Sequence, residues 1–75
     1  HVEFTIEPFV EGDPGAHVLA AVESARTVGV EVYMGPFGSA CDVAEADVAD
    51  LVGRITGAAI SNGATHVSIH VEASS

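Results

Sequence analysis

The chain has no lysine, no tryptophan and a single cysteine among its 75 residues. Its two cations, Arg26 and Arg54, face 11 Asp and Glu residues, which gives a formal charge of −9 with histidine neutral. This scarcity of positive charge excludes a nucleic-acid-binding protein, because affinity for nucleic acids depends on neutralising phosphates. It also excludes recruitment to anionic membranes through a basic patch. One cysteine excludes an internal disulfide and a cysteine-based structural zinc site.

No apolar run approaches the roughly 18 residues of a membrane-spanning helix, and no signal-peptide pattern opens the chain. We therefore expect a cytoplasmic protein. The apolar fraction of 48% and the mean hydropathy of +0.40 are sufficient for a buried core. The length predicts one domain over residues 1–75. Because a domain of this size buries only about 60% of its unfolded surface, we expect oligomerisation to stabilise it further.

Hydrophobic periodicity predicts four strands and two helices. The strands are expected over residues 2–6, 30–34, 37–42 and 65–72, where apolar and polar residues alternate or turn residues bound the segment. The first helix is expected to begin at Asp13-Pro14 and to end at Gly29, and the second to run from Val48 to the stop at Gly63. The order strand, helix, strand, strand, helix, strand predicts a ferredoxin-like α+β sandwich. Its antiparallel sheet is expected in the order 4-1-3-2, with both helices on one face.

The face of the sheet that the helices leave open is the most informative surface. By alternation it carries Glu3, Thr5, Glu7, Glu31, Tyr33, His66, Ser68, His70 and Glu72. On the third strand, either Ser39 and Cys41 or Ala40 and Asp42 join this face, because Gly38 interrupts the alternation. The face is either a solvated surface or an oligomer interface or ligand site, since histidines beside carboxylates are effective recognition groups.

Catalytic and metal-binding motifs are scarce. The sequence contains no nucleophile elbow, no HExxH motif and no P-loop, so we expect neither an enzyme nor a catalytic residue. Cys41 has acidic neighbours and no basic ones, which favours a buried, inert thiol. His66 and His70 lie roughly 13 Å apart on one strand, too far to share a metal ion. A metal would need one of them with a residue of the first strand, and we expect no metal site and no cofactor.

The segment Gly35-Pro36-Phe37-Gly38-Ser39 places an aromatic ring and a hydroxyl at a tight hairpin. Such a hairpin suits stacking and hydrogen bonding of a small heterocycle, although a hairpin with a core phenylalanine fits the pattern equally well. The chemistry therefore leaves both interpretations open.

Three segments together resemble the small thiamine-binding proteins, the single-domain relatives of YkoF that were once grouped as a domain of unknown function. The segments are Glu3-Phe4-Thr5-Ile6-Glu7-Pro8-Phe9, the hairpin at 35–39, and Gly63-Ala64-Thr65-His66-Val67-Ser68. With Ala20-Ala21-Val22-Glu23 of the first helix, the resemblance spans essentially the whole chain. It implies a ferredoxin-like fold, a homotetramer built as a dimer of dimers by sheet packing, no catalysis, and binding of thiamine or its hydroxymethylpyrimidine moiety.

The resemblance also implies particular site residues. Ser39 matches the hydroxyl that follows Phe-Gly in the family, Asp42 stands where Glu is expected, and Val43 replaces the next Gly. We predict ligand contacts from Phe37, Ser39, Asp42, Thr5 and Glu7, with Phe37 or Tyr33 stacking on a ring. A cationic heteroaromatic ligand suits an acidic site with an aromatic wall. The alternative is a structural or regulatory assembly protein whose open sheet face mediates only oligomerisation.

Overall fold

The computed structural model describes residues 1–8, 15–35 and 38–73. Within these residues the elements are β1 (Val2–Glu7), α1 (Ala16–Arg26), β2 (Tyr33–Met34), β3 (Ser39–Cys41), a 3-10 turn (Glu45–Asp47), α2 (Val48–Ser61) and β4 (His66–Val71). All paired strands are antiparallel, and the sheet has the order β2-β3-β1-β4. Seen from the opposite edge this is the predicted order 4-1-3-2. The ferredoxin-like α+β fold is confirmed.

The core lies between the sheet and the two helices. Alternation along β1 points Val2, Phe4 and Ile6 toward the helices, and all three are buried. The buried helix residues are Val18, Ala21, Val22 and Ala25 of α1 with Leu51, Ile55 and Ala59 of α2. Their spacing of three and four residues forms one apolar stripe on each helix. Burying a side chain such as that of Leu51 or Ile55 contributes about 1.5–3 kcal/mol to folding.

Each helix is followed by a glycine in the left-handed backbone region, two residues after the end of α2 and three residues after the end of α1. Gly29 has a φ of 92° and Gly63 a φ of 103°, which side chains other than glycine rarely tolerate. After α2 the backbone N–H of Ala64 donates to the carbonyl of Ala59 at 3.0 Å, which satisfies one of the terminal carbonyls. The predicted stop of α2 at Gly63 is confirmed, whereas α1 ends at Arg26, three residues before the predicted stop at Gly29. Helix α1 begins at Ala16, and the predicted start at Asp13-Pro14 lies outside the described residues.

The helices are short. Helix α1 has 11 residues and α2 has 14, whereas about 20 apolar residues are needed to span a bilayer. In the part of the chain that the structure describes, no helix has the length and apolar character to cross a membrane.

The second strand differs from its prediction. The paired strand is Tyr33–Met34, shorter than the predicted 30–34, while Val30 and Val32 pack half-buried against the core. Met34 lies opposite Ser39, whose side chain is on the helix side, so its predicted orientation is confirmed, although the Met34 side chain is 44% exposed. The side chain of Met34 is exposed because the helices pack over β1 and β4 and leave the outermost strand β2 uncovered.

The register settles the orientation of the third strand. Phe4 lies opposite Ser39 and Val2 opposite Cys41, which places both β3 residues on the helix side, where they are buried. Ala40, and Asp42 beyond the end of β3, therefore belong to the open face. Burial, and then the nearby charge of Asp42, raise the pKa of the Cys41 thiol. The predicted burial of this thiol is confirmed.

Candidate functional site

The open face of the sheet forms a shallow groove of about 590 Å³, which we call the sheet groove. Its polar lining consists of Glu3 and Thr5 of β1, Ser68 and His70 of β4, and Tyr33 of β2. Small-molecule sites usually have volumes of about 300–1,000 Å³ and combine apolar walls with a few converging polar groups. The volume of the sheet groove lies within this range, and the groove is open to solvent along the sheet.

Strand pairing arranges the polar side chains of the sheet groove in rows across the sheet. Glu3 lies opposite His70 on one side and Ala40 on the other, and Ala40 lies opposite Tyr33. Because neighbouring strands are about 4.8 Å apart, this row spans roughly 14 Å. The alanine in the row leaves open space between the carboxylate and the phenol. A flat molecule can therefore lie across the strands over Ala40, between Tyr33 and Glu3.

The hairpin between β2 and β3 approaches the central strand closely. The N–H of Gly35 donates to the carbonyl of Gly38 at 2.7 Å and closes the base of the hairpin. A Cβ at Gly38 would lie 3.0 Å from the carbonyl oxygen of Phe4 and 3.0 Å from Oγ1 of Thr5. Any side chain at this position would push the hairpin away from β1. Gly38 thus keeps the hairpin base beside Thr5 in the groove.

The carboxylate of Glu3 is held by His1. The Nε2 atom of His1 lies 3.0 Å from Oε1 of Glu3, and Nδ1 lies 2.9 Å from Oδ1 of Asp42. The backbone nitrogen of His1 donates to the carbonyl of Glu72 at 2.8 Å, and Glu72 N–H donates back at 2.9 Å. Hydrogen bonds to Asp42 and then to Glu3 raise the pKa of the His1 imidazole. His1 therefore connects the groove carboxylate to the end of β3.

A second histidine–carboxylate pair lies at the other end of β1. Nδ1 of His66 is 3.8 Å from Oε2 of Glu7 and 2.9 Å from the hydroxyl of Thr65. The N–H of Thr65 donates to the carbonyl of Glu7 at 2.8 Å, which ties the start of β4 to the end of β1. Both side chains are exposed to solvent, so this contact contributes little to stability.

The structure does not bring all the residues predicted to bind a ligand together in the sheet groove. Thr5 lines the sheet groove. Ser39 borders the groove but is only 7% exposed, because its side chain shares the helix side of the sheet with Phe4. Asp42 and Glu7 lie on the open face beyond the two ends of the groove, bonded to His1 and adjacent to His66 respectively. The predicted stacking residue Phe37 lies outside the described residues.

Other groove residues were placed on the open face by alternation but were not selected as ligand contacts. These are Glu3, Ser68 and His70, and Tyr33 was the alternative stacking residue. The contact of His1 with Glu3 and Asp42 was missed. Its only sequence signal was a histidine two residues before Glu3, on the same strand face.

The histidines of β4 lie on one strand face but have different partners. His66 is near Glu7, and Nε2 of His70 is 3.9 Å from Oε2 of Glu72. Across residues 1–8, 15–35 and 38–73, no three His, Cys, Asp or Glu side chains come together in a group that could hold a metal ion. The chemistry of the sheet groove is therefore that of a hydrogen-bonding, anionic surface with an aromatic edge.

Comparison with known proteins identifies the fold. The chain is similar to the solved structure of a domain of unknown function, DUF77, from Bacillus cereus, with a TM-score of 0.65 and 22% sequence identity. The similarity covers 95% of this chain and 73% of the other. No protein-family model matches the chain, and no curated protein matches it. The chain therefore has a DUF77-like form of the small ferredoxin-like fold.

Proposed function

We propose that the protein is a non-catalytic binding protein for thiamine or its hydroxymethylpyrimidine moiety, and that the ligand lies in the sheet groove. One observation carries the proposal: a carboxylate, two hydroxyls and an exposed phenol line a single groove of about 590 Å³. These groups belong to Glu3, Thr5, Ser68 and Tyr33. The resemblance of the three sequence segments to thiamine-binding proteins supports this choice of ligand.

The chemistry of thiamine matches the groove in two ways. Its thiazolium ring carries a permanent positive charge, which the carboxylate of Glu3 and the formal charge of −9 attract. Its aminopyrimidine presents an amino donor and ring-nitrogen acceptors, which the Glu3 carboxylate and the Ser68 hydroxyl can satisfy. Tyr33 is 66% exposed at the edge of the groove and offers a face for ring stacking or a cation–π contact.

The proposal includes self-association as a homotetramer, a dimer of dimers formed by sheet packing, in the cytoplasm. The side chain of Tyr33, which is exposed on the open face, supports a partner copy at the sheet. Carboxylates brought together by such packing repel each other unless histidines or a cationic ligand lie between them. The same exposed side chain of Tyr33 favours the second candidate function, an assembly protein that uses its sheet only for oligomerisation.

Titration calorimetry with thiamine and with hydroxymethylpyrimidine separates the two functions. We expect heat with at least one compound for the wild type and a weaker affinity for the Glu3→Gln variant. The matched control is Glu23→Gln on α1, which removes one negative charge from an exposed pair with Arg26 and leaves the groove intact. Its affinity should match that of the wild type. Absence of heat with both compounds at millimolar concentration would refute ligand binding and leave the assembly function.

A further inference from the structure

The imidazole of His1 lies between two carboxylates. Its Nε2 is 3.0 Å from Glu3 and its Nδ1 is 2.9 Å from Asp42, so both ring nitrogens face an acceptor that cannot donate when it is ionised. A neutral imidazole has one N–H and can make only one of these two hydrogen bonds, whereas an imidazolium makes both. The geometry therefore selects the protonated ring. The raised pKa of His1 agrees with this.

Glu3 is the carboxylate that faces the sheet groove, whereas Asp42 lies outside it. The bridge therefore fixes one groove group through a residue that is not itself part of the groove lining. When His1 is protonated, its positive charge lies beside Glu3 and partly cancels the attraction of Glu3 for a cation. When His1 loses its proton, one of the two hydrogen bonds is lost and the groove becomes more negative.

We propose that His1 is a positioning residue of the sheet groove, which fixes the Glu3 carboxylate and lowers the affinity for a cationic ligand when it is protonated. This proposal rests on the proposed function, because it concerns the affinity of the same groove. Three other titratable groups lie near the bridge. His70 lies opposite Glu3 on β4, Glu72 pairs with the backbone of His1, and Glu45 of the turn before α2 lines a second pocket together with His1. Of these three groups, His70 carries the one other imidazole, and it lies across from Glu3 on the neighbouring strand.

The expected effect on affinity is modest. Two unit charges about 7 Å apart in water repel each other enough to change an affinity roughly threefold. Thiamine should therefore bind about threefold more tightly above the pKa of His1 than below it. Hydroxymethylpyrimidine has no permanent charge, and its affinity should depend much less on His1.

The test combines proton titration with ligand binding. Imidazole resonances of the wild type, Glu3→Gln and Asp42→Asn are followed by nitrogen–proton NMR as the pH is varied. Thiamine and hydroxymethylpyrimidine are then titrated calorimetrically at pH values below and above the His1 midpoint. The binding comparison is between the wild type, His1→Gln and the control His17→Gln, which removes an imidazole that contacts the Pro8 carbonyl at the opposite end of β1. Because the same ligand is used with all three proteins, any change in the ligand's own protonation affects their pH profiles equally. Circular dichroism confirms that each variant is folded.

We expect His1 to titrate above its ordinary value of 6.5 in the wild type and at lower pH in both carboxylate variants. The affinity for thiamine should rise about threefold with pH in the wild type and His17→Gln, and rise less in His1→Gln. Equal His1 titration in all three proteins, or equal thiamine profiles in wild type and His1→Gln, would overturn the proposal. If neither compound binds at any pH, the proposed function fails, and the NMR titration alone decides whether His1 holds Glu3.

Discussion

Replacing Gly38 with alanine tests the close approach of the β2–β3 hairpin to the central strand. The new Cβ would lie 3.0 Å from the carbonyl oxygen of Phe4 and 3.0 Å from Oγ1 of Thr5. The threonine hydroxyl can rotate away, but the Phe4 carbonyl belongs to the backbone of β1, which is paired on both sides. The hairpin must therefore move away from β1, and the sheet groove must change shape.

Two opposing effects decide the magnitude. An overpacked contact typically costs about 1–3 kcal/mol, whereas alanine lowers the entropy of the unfolded chain and stabilises by about 0.4–1 kcal/mol. We therefore expect Gly38→Ala to lower the free energy of unfolding by about 1 kcal/mol. In a domain of this size that corresponds to a decrease in Tm of about 4–8 °C.

The matched control is Gly57→Ala in the middle of α2. A Cβ at Gly57 meets nothing within 4 Å, and a helix favours alanine over glycine by about 1 kcal/mol. The same substitution should therefore destabilise at position 38 and stabilise at position 57, as measured by urea and thermal unfolding. A Gly38→Ala variant as stable as the wild type would refute the close contact. A destabilised Gly57→Ala variant would contradict the open surroundings of that helix position.

Three further predictions concern the core, the His1 bridge and the thiol. Leu51→Ala should destabilise by about 2–5 kcal/mol in urea unfolding because Leu51 is fully buried, and Leu19→Ala, at a half-exposed site, should cost much less. Because folding raises the pKa of His1, its stabilisation should be present below pH 6.5 and lost as the pH rises through the raised value. The stability difference between wild type and His1→Gln should therefore shrink with increasing pH, and a difference that grows would contradict the bridge. Cys41 should react with a thiol reagent slowly in the native protein and rapidly in urea, and fast native reaction would contradict its burial.

The fold could be predicted from the sequence because the strongest sequence signals, strand alternation and helical apolar stripes, are local. Alternation in residues 2–6 specified both β1 and its buried side, and the apolar stripe ending at Gly63 specified α2. The exposure of Met34 could not be predicted from the sequence, because it depends on how far the helices extend across the sheet. The orientation of Ser39 was also undetermined, since Gly38 interrupts the alternation and only pairing with Phe4 establishes it.

The site was predicted as a surface but not as an arrangement of contacts. Alternation placed Glu3, Thr5, Ser68 and His70 on one face, and strand pairing then brought them into the sheet groove. The bridge from His1 to Asp42 joins residues 41 positions apart, and no short sequence pattern encodes such a distance. Whether Phe37 stacks on a ligand stays a prediction.

The central claim, that the sheet groove binds thiamine, is tested most directly by following backbone amide resonances during a thiamine titration. We expect saturable shifts that are largest at Glu3, Thr5, Tyr33 and Ser68, with the resonance of Ile60 on α2 unchanged. Hydroxymethylpyrimidine should shift an overlapping subset of the same amides. Shifts confined to the helices, or no shifts at millimolar thiamine, would contradict the claim.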